Sequence, residues 1–150
     1  MDRILAGCVV VLAVSAMTEA ASAGKAVPKT LARGELPAGF AIGSASPSLA
    51  LQVEVVDGKV SASAPAGDAP GNLRAARSGD GAQTTLMVSS TLPVTIKFDL
   101  YTSTDGERFT YSSSCGVTPG ISSFEMWEQP VKDFALGNPR VLPAGRMACD

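Results

Sequence analysis

The stretch that decides the fold is residues 94–112, VTIKFDLYTSTDGERFTYS. Its first half alternates apolar and polar side chains with a period of two, the period of a β-strand that buries one face. The alternation stops at Asp105-Gly106, a dipeptide typical of tight hairpin turns, and resumes at Phe109 and Tyr111. The segment therefore predicts an antiparallel β-hairpin.

The register of this hairpin follows from the length of its turn. A two-residue turn at Asp105-Gly106 would pair Leu100 with Tyr111, so that the apolar residues of both strands share one face. The same count places Cys115 opposite Ile96. We therefore expect the aromatic side chains of the second strand to enter the core and the polar side chains to form an outer surface.

A second hairpin is predicted in residues 49–64, LALQVEVVDGKVSASA. Here a two-residue turn at Asp57-Gly58 would pair Val55 with Val60 and again match the apolar positions. Further short strands are predicted at residues 82–90, 121–128 and 131–136. Because no sustained helical period interrupts these strands, the sequence indicates an all-β protein, a small antiparallel β-sandwich.

Residues 65–81, PAGDAPGNLRAARSGDG, contain no convincing strand or helix pattern. Gly, Pro, Ala and Asp dominate this stretch, which favours a long solvated loop. The alternative is a binding loop that carries Arg74 and Arg77, because long loops in compact domains are often functional.

The N-terminus has the pattern of a signal peptide. A short positively charged start is followed by an apolar run from Ile4 to Met17 and by Ala21-Ser22-Ala23, the small residues that a signal peptidase accepts. The run is shorter than the roughly 17–25 residues of a membrane-spanning helix, although a retained anchor is the alternative. We expect cleavage after residue 23 and export to the periplasm or the medium.

The predicted domain boundaries follow from this cleavage. Residues 24–48 are rich in Pro, Gly and Ser, which indicates a lead-in or linker, partly disordered, with a short edge strand around Phe40. A single β-sandwich domain is expected over residues 49–150. The mature chain would contain no membrane span.

Two cysteines, Cys115 and Cys149, remain after removal of the signal, and we expect them to form a disulfide. A redox-active or metal-binding pair is disfavoured because the chain has neither a Cys-x-x-Cys motif nor a histidine. The order Cys115, Trp127, Cys149 resembles that of immunoglobulin domains, which implies at most an Ig-like architecture with Trp127 as a core anchor. The short spacing and the chain end at Asp150 depart from that pattern.

Charge and composition narrow the function classes. The chain has 12 basic and 14 acidic residues, a net charge of -2, so it lacks the basic patch expected of a nucleic-acid-binding protein. Histidine, the commonest general base, is absent. Nucleotide-binding glycine motifs are also missing, and we expect neither a cofactor nor enzymatic activity.

The predicted outer face of the central hairpin is the candidate binding surface. It carries Lys97, Tyr101 and Arg108, and Tyr and Arg are enriched at binding hot spots. With Arg74 and Arg77 these residues suggest an exported, non-enzymatic protein that binds another protein or an envelope polymer.

Two alternatives stay open at this point. The first is a structural subunit that self-associates by strand addition, with the segment around Phe40 as the donated strand. The second is a small hydrolase that uses carboxylates alone, for which Glu125 and Glu128 would be the candidates.

Overall fold

A computed structural model of the protein describes residues 29–44, 48–79, 81–146 and 148–149. The signal peptide predicted over residues 1–23 lies outside these ranges. Two antiparallel five-stranded sheets pack face to face, which confirms the predicted β-sandwich. In the part of the chain that is described, no helix has the length and apolar character needed to cross a bilayer.

The first sheet has the strand order β1-β8-β7-β10-β2. Its strands are β1 (Thr30–Ala32), β2 (Ala41–Gly43), β7 (Ile96–Ser103), β8 (Arg108–Ser112) and β10 (Asp133–Val141). The second sheet has the order β4-β3-β5-β6-β9. Its strands are β3 (Leu49–Val56), β4 (Lys59–Ser63), β5 (Leu73–Gly79), β6 (Thr84–Ser90) and β9 (Ser123–Trp127).

The main core lies between the two sheets. Alternate residues of β3, β5 and β6 meet alternate residues of β7 and β10, as the period of two requires. The most deeply buried side chains of this core are Val53, Leu73, Ala75, Leu86, Ile96, Leu100 and Phe134. Leu86 and Val88 point inward, as their alternation predicts.

A second, smaller core covers the other face of β7. Tyr101, Phe109 and Ala135 are buried there. The partly buried residues that pack on them are Tyr111 of β8 and, from the chain around β1 and β2, Leu31, Leu36, Phe40 and Ile42. Strand β7 is therefore buried on both faces along its whole length.

The structure has the predicted strand pairing in one of the two hairpins and a different pairing in the other. The β3–β4 hairpin has the predicted register, with Val55 opposite Val60. In the β7–β8 hairpin the predicted pairing is wrong by one residue, because Leu100 lies opposite Ser112 and Tyr101 opposite Tyr111. Since neighbouring residues of a strand point to opposite faces, this shift moves the aromatic side chains of β8 from the main core to the second core.

The prediction of a loop over residues 65–81 is also wrong in part. Residues Leu73–Gly79 form β5, the middle strand of the second sheet. Leu73 and Ala75 are fully buried. Because Leu73 is the single large apolar residue of this strand, its place between β3 and β6, rather than its own hydrophobicity, makes it a central strand.

Most of the predicted lead-in belongs to the sandwich. Strands β1 and β2 form the two edges of the first sheet, so the predicted edge strand near Phe40 is confirmed. The buried Asp133 carboxylate holds this region by an ion pair with Arg33, 3.0 Å, and by a hydrogen bond from Ser44. The sandwich therefore begins before residue 49.

Candidate functional site

An open cleft of about 510 Å³ lies between β8 of the first sheet and the end of β9 in the second. Its walls are mainly polar, with one indole ring. They are formed by Thr102, Thr104, Asp105, Arg108, Thr110, Tyr111, Ser112, Trp127 and Gln129. The cleft thus combines hydroxyl, amide, carboxylate and guanidinium groups with an aromatic surface.

The polar wall exists because of the register of the β7–β8 hairpin. Thr102 lies opposite Thr110, and Leu100, a residue of the main core, lies opposite Ser112. Thr110, Ser112 and Arg108 therefore share the face of β8 that looks toward the second sheet. Because these side chains are polar, the two sheets do not close over them, and the space stays open to solvent.

Trp127 forms the opposite wall. Its side chain is half-buried, packs against the main core and donates a hydrogen bond from Nε1 to Ser112 Oγ, 3.1 Å. Trp127 is thus both the core anchor that its sequence context suggests and a wall of the cleft. Its position shortly before Pro130, near the end of β9, is the sequence signal for this second role.

The Asp105 loop closes one end of the cleft. Asp105 Oδ1 accepts hydrogen bonds from the backbone N–H groups of Arg108, 2.8 Å, and Glu107, 2.7 Å, and from the Ser103 hydroxyl, 3.0 Å. These bonds lower the pKa of the Asp105 carboxyl to about 2. Arg33 Nη1 donates to the Gly106 carbonyl, 2.7 Å, which ties the loop to the rest of the sheet.

Arg108 is the one member of the predicted binding surface that lines the cleft. Its side chain is exposed, and its guanidinium forms no ion pair with any residue in the described ranges. A guanidinium carries five N–H donors in a planar fork, which suits a carboxylate or several neutral oxygens. Arg108 is therefore the strongest free donor of the cleft.

Lys97 and Tyr101 do not belong to an outer surface, and their assignment to one is wrong. Lys97 is 2% exposed and Tyr101 is 1% exposed. Lys97 Nζ donates to the Ala148 carbonyl, 3.0 Å, and the Tyr101 ring packs edge-on against Phe40. Burial lowers the pKa of Lys97 and raises that of Tyr101. The chain around β1 and β2 and the C-terminal segment cover this face.

The remaining predicted residues lie on β5, away from the cleft. Arg74 is exposed on the outer face of the second sheet, opposite Ser89. Arg77 is half-buried, and its Nη1 donates to the Val131 carbonyl. Arg77 therefore connects the second sheet to the segment before β10 and is no part of a mobile binding loop.

The predicted disulfide between Cys115 and Cys149 is confirmed. It joins two segments outside the named strands, unlike the strand-to-strand disulfide of immunoglobulin domains. The position predicted for Cys115 is wrong, because Val117 lies opposite Ile96. The Cys115 N–H donates to Glu125 Oε1, 2.9 Å, so this carboxylate has a structural role next to the disulfide.

Strand β9 has an unusual outer face. Phe124 is 61% exposed and Met126 is 67% exposed, and Met87 lies opposite Phe124 on β6. The mixed apolar pattern of residues 121–128 predicts a central or covered strand, but β9 is the edge of the second sheet. An apolar edge of this kind marks an interaction surface in many proteins.

Comparison with protein-family models, with curated proteins and with solved structures finds no match to this chain. The described residues also contain no group of three or more acidic, His or Cys side chains arranged to hold a metal ion. The cleft and the edge strand beside it are therefore the features of the described residues that indicate a function.

Proposed function

We propose that this chain is an exported, non-enzymatic binding protein that holds its ligand, a protein or an envelope polymer, in the cleft between β8 and β9. The observation that supports this proposal is the cleft itself, about 510 Å³ and lined by Arg108 and Trp127 among neutral polar groups. Its volume lies in the range of ordinary ligand sites, roughly 300–1,000 Å³.

The side chains that line the cleft are suited to non-covalent binding of a ligand. Hydroxyl groups of Thr110 and Ser112 and the amide of Gln129 both donate and accept hydrogen bonds, so they can pair with peptide groups or sugar hydroxyls. The indole ring of Trp127 adds a rigid apolar surface that loses little conformational entropy on binding. Such a surface supports specific binding without a charged ligand.

The carboxylates near the cleft already accept hydrogen bonds from the protein itself. Asp105 accepts three hydrogen bonds within its own loop, and Glu125 accepts the Cys115 N–H. A general acid needs a pKa near the working pH, whereas the pKa of Asp105 is about 2. These bonds favour a binding role over a carboxylate hydrolase.

Export is supported by the disulfide and by the signal pattern. Disulfides persist in oxidising compartments and are rare in the cytosol. The Cys115–Cys149 bond attaches the C-terminal segment to the sandwich, so an oxidising compartment would preserve this contact. The partner is therefore to be sought in the cell envelope or the medium.

The proposal is tested by capture with the mature chain, residues 24–150, immobilised on beads. Bound proteins and polysaccharides from envelope and medium fractions are measured for the wild type and for three variants. Arg108→Ala removes the free donor, and Thr110→Trp fills the cleft from an exposed position. Arg74→Ala is the matched control, because it removes an exposed arginine from the outer face of the second sheet.

We expect Arg108→Ala to reduce the main captured species about tenfold, Thr110→Trp to reduce it further, and Arg74→Ala to leave it unchanged. Equal capture by all four proteins, each verified as folded by circular dichroism, would contradict a ligand site in the cleft.

A self-assembling subunit is the second candidate, and the exposed apolar face of β9 favours it. The segment suggested as the donated strand is already used within the chain, since Ala41–Gly43 pairs with β10 and Phe40 packs on Tyr101. Light scattering of the mature chain at increasing concentration tests this alternative, which predicts oligomers that Phe124→Ser dissolves.

A further inference from the structure

We propose that the ligand is an extended segment of another protein, which pairs with β9 as a sixth strand of the second sheet and directs the inward side chain beside Trp127 into the cleft. This inference depends on the proposed function, because it names the class of ligand that the cleft takes. It combines the free edge of β9, the polar cleft on its inner side and the apolar face on its outer side.

The first observation is the free edge. Strand β9 pairs antiparallel with β6 through residues 123–127, and it is the last strand of its sheet in the described part of the chain. The N–H and C=O groups on the other side of an edge strand are a template for an incoming strand. Five residues of β9 are long enough to anchor a short extended peptide.

The second observation is that the two sides of β9 differ in polarity. On the inner side, Trp127 and the wall formed by Thr110 and Ser112 border the cleft. On the outer side, Phe124 and Met126 form an exposed apolar surface. Since side chains alternate along a strand, a strand beside β9 would fit these surroundings with polar side chains inward and apolar side chains outward.

The third observation is the charge in the cleft. The guanidinium of Arg108 has no ion-pair partner in the described ranges. The Asp105 carboxylate, the acidic group of the cleft, is bound within its own loop. An Asp or Glu at one inward position of the segment would therefore complement Arg108.

These observations favour an extended segment over the other occupants. A polysaccharide could fill the cleft, but it would leave the β9 backbone unpaired and Phe124 exposed. In a folded second copy, the inward side chains of β9 are already engaged, because Glu125 binds the Cys115 N–H and Trp127 binds Ser112. Those side chains are not available to enter the cleft of a neighbour.

The experiment uses a phage-displayed library of random 12-residue peptides, selected on the disulfide-bonded mature chain. We expect the enriched sequences to alternate apolar and polar residues, with an acidic residue at one polar position. Synthetic copies of one enriched peptide then carry N-methyl groups on the odd or on the even amides. One set should weaken binding at least tenfold, and the other should have little effect, because alternate amides of a strand face opposite neighbours.

Substitutions in the protein test where the peptide binds. Phe124→Ser should weaken binding several-fold, whereas Val56→Ser, at an equally exposed valine of the β3–β4 hairpin, should not. Arg108→Ala and exchange of the acidic peptide residue for its amide should each weaken binding about tenfold, and together no more than either alone.

Several results would overturn the strand-addition proposal. They are enriched peptides without alternation, equal sensitivity to both N-methyl sets, and a self-association of the mature chain that Phe124→Ser abolishes. If no peptide is enriched while the cleft variants still lose a captured polysaccharide, the proposed function stands and strand addition is wrong. If peptides bind to β9 with no dependence on Arg108 or Thr110, the cleft assignment fails, and with it this inference.

Discussion

Two hairpins of this protein turn on the same dipeptide, Asp-Gly, yet they have different geometries. In the β3–β4 hairpin, Asp57 and Gly58 both have positive φ, 51° and 74°, and Val56 pairs with Lys59 across a two-residue turn. In the β7–β8 hairpin only the glycine, Gly106, has a positive φ, 88°. The flanking strands there end at Ser103 and begin at Arg108, so four residues form the loop.

The difference arises from the residues around the dipeptide. In the second hairpin, Ser103 Oγ accepts the Gly106 N–H, 2.8 Å, and Asp105 Oδ1 accepts the N–H groups of Glu107 and Arg108. These side chains replace backbone bonds that a two-residue turn would need. At the position that corresponds to Ser103, the first hairpin has Val55, whose side chain cannot accept such a bond.

This loop shifts the pairing of the two strands by one residue, and the shift has large consequences. It determines that Phe109 and Tyr111 pack against the chain around β1 and β2, and that Arg108 and Thr110 line the cleft. With the turn of the first hairpin, the aromatic side chains would enter the main core and no polar cleft would form. The loop around Asp105 therefore sets the position of the candidate site.

The largest expected change in the free energy of unfolding comes from shortening an apolar side chain in each hairpin. Phe109→Ala should lower the free energy of unfolding by about 3–5 kcal/mol, because this ring is fully buried in the second core. Val60→Ala, at the half-buried edge strand β4, should cost about 1 kcal/mol. Urea denaturation measures both.

A double substitution then tests the register itself. Leu31→Ala combined with Phe109→Ala should cost less than the sum of the two single changes, because the side chains pack in one cluster. Additive costs would indicate that Phe109 lies in the main core, away from Leu31, as the two-residue turn predicts.

The next prediction compares the loss of stability caused by alanine at each of the two turn glycines. Gly58→Ala should cost about 1–2 kcal/mol, the usual strain of a positive φ, because the space around a new Cβ is open. Gly106→Ala should cost more, about 2–3 kcal/mol, because its Cβ would lie 3.2 Å from Asp133 Oδ2, which Arg33 holds in place. Equal changes in the urea midpoint would show that the second loop is not packed against Asp133.

The smallest effect concerns acid stability. The hydrogen bonds to Asp105 hold its pKa at about 2, below its ordinary range. A carboxyl with a lowered pKa in the folded state contributes stability above its unfolded pKa, and this contribution is lost as the pH falls from about 4 to 2. Asp105→Asn should flatten that part of the pH dependence of the urea midpoint, whereas Asp57→Asn should retain it. Parallel curves for the wild type and Asp105→Asn would contradict these bonds.

The candidate site could be predicted only in part. The residue type of Arg108 and its place on a strand next to a turn predict a binding role, and it lies in the cleft. The same alternation predicts Lys97 and Tyr101 on the same surface, but they are buried. Alternation shows that a strand has two faces, yet it does not show whether another segment covers the polar one. Here the chain around β1 and β2, interpreted as a lead-in, covers it.

The sequence by itself determined the class of the fold, the β3–β4 turn and the cysteine pair, because each depends on residues close in the chain or on a simple count. The tertiary structure alone decided the place of β5, the burial of Tyr101 and the exposure of Phe124. These features depend on which strands become neighbours, and neighbours are chosen by burial summed over the whole sandwich. The cleft belongs to this second group, since its two walls come from different sheets and meet only when the sandwich is complete.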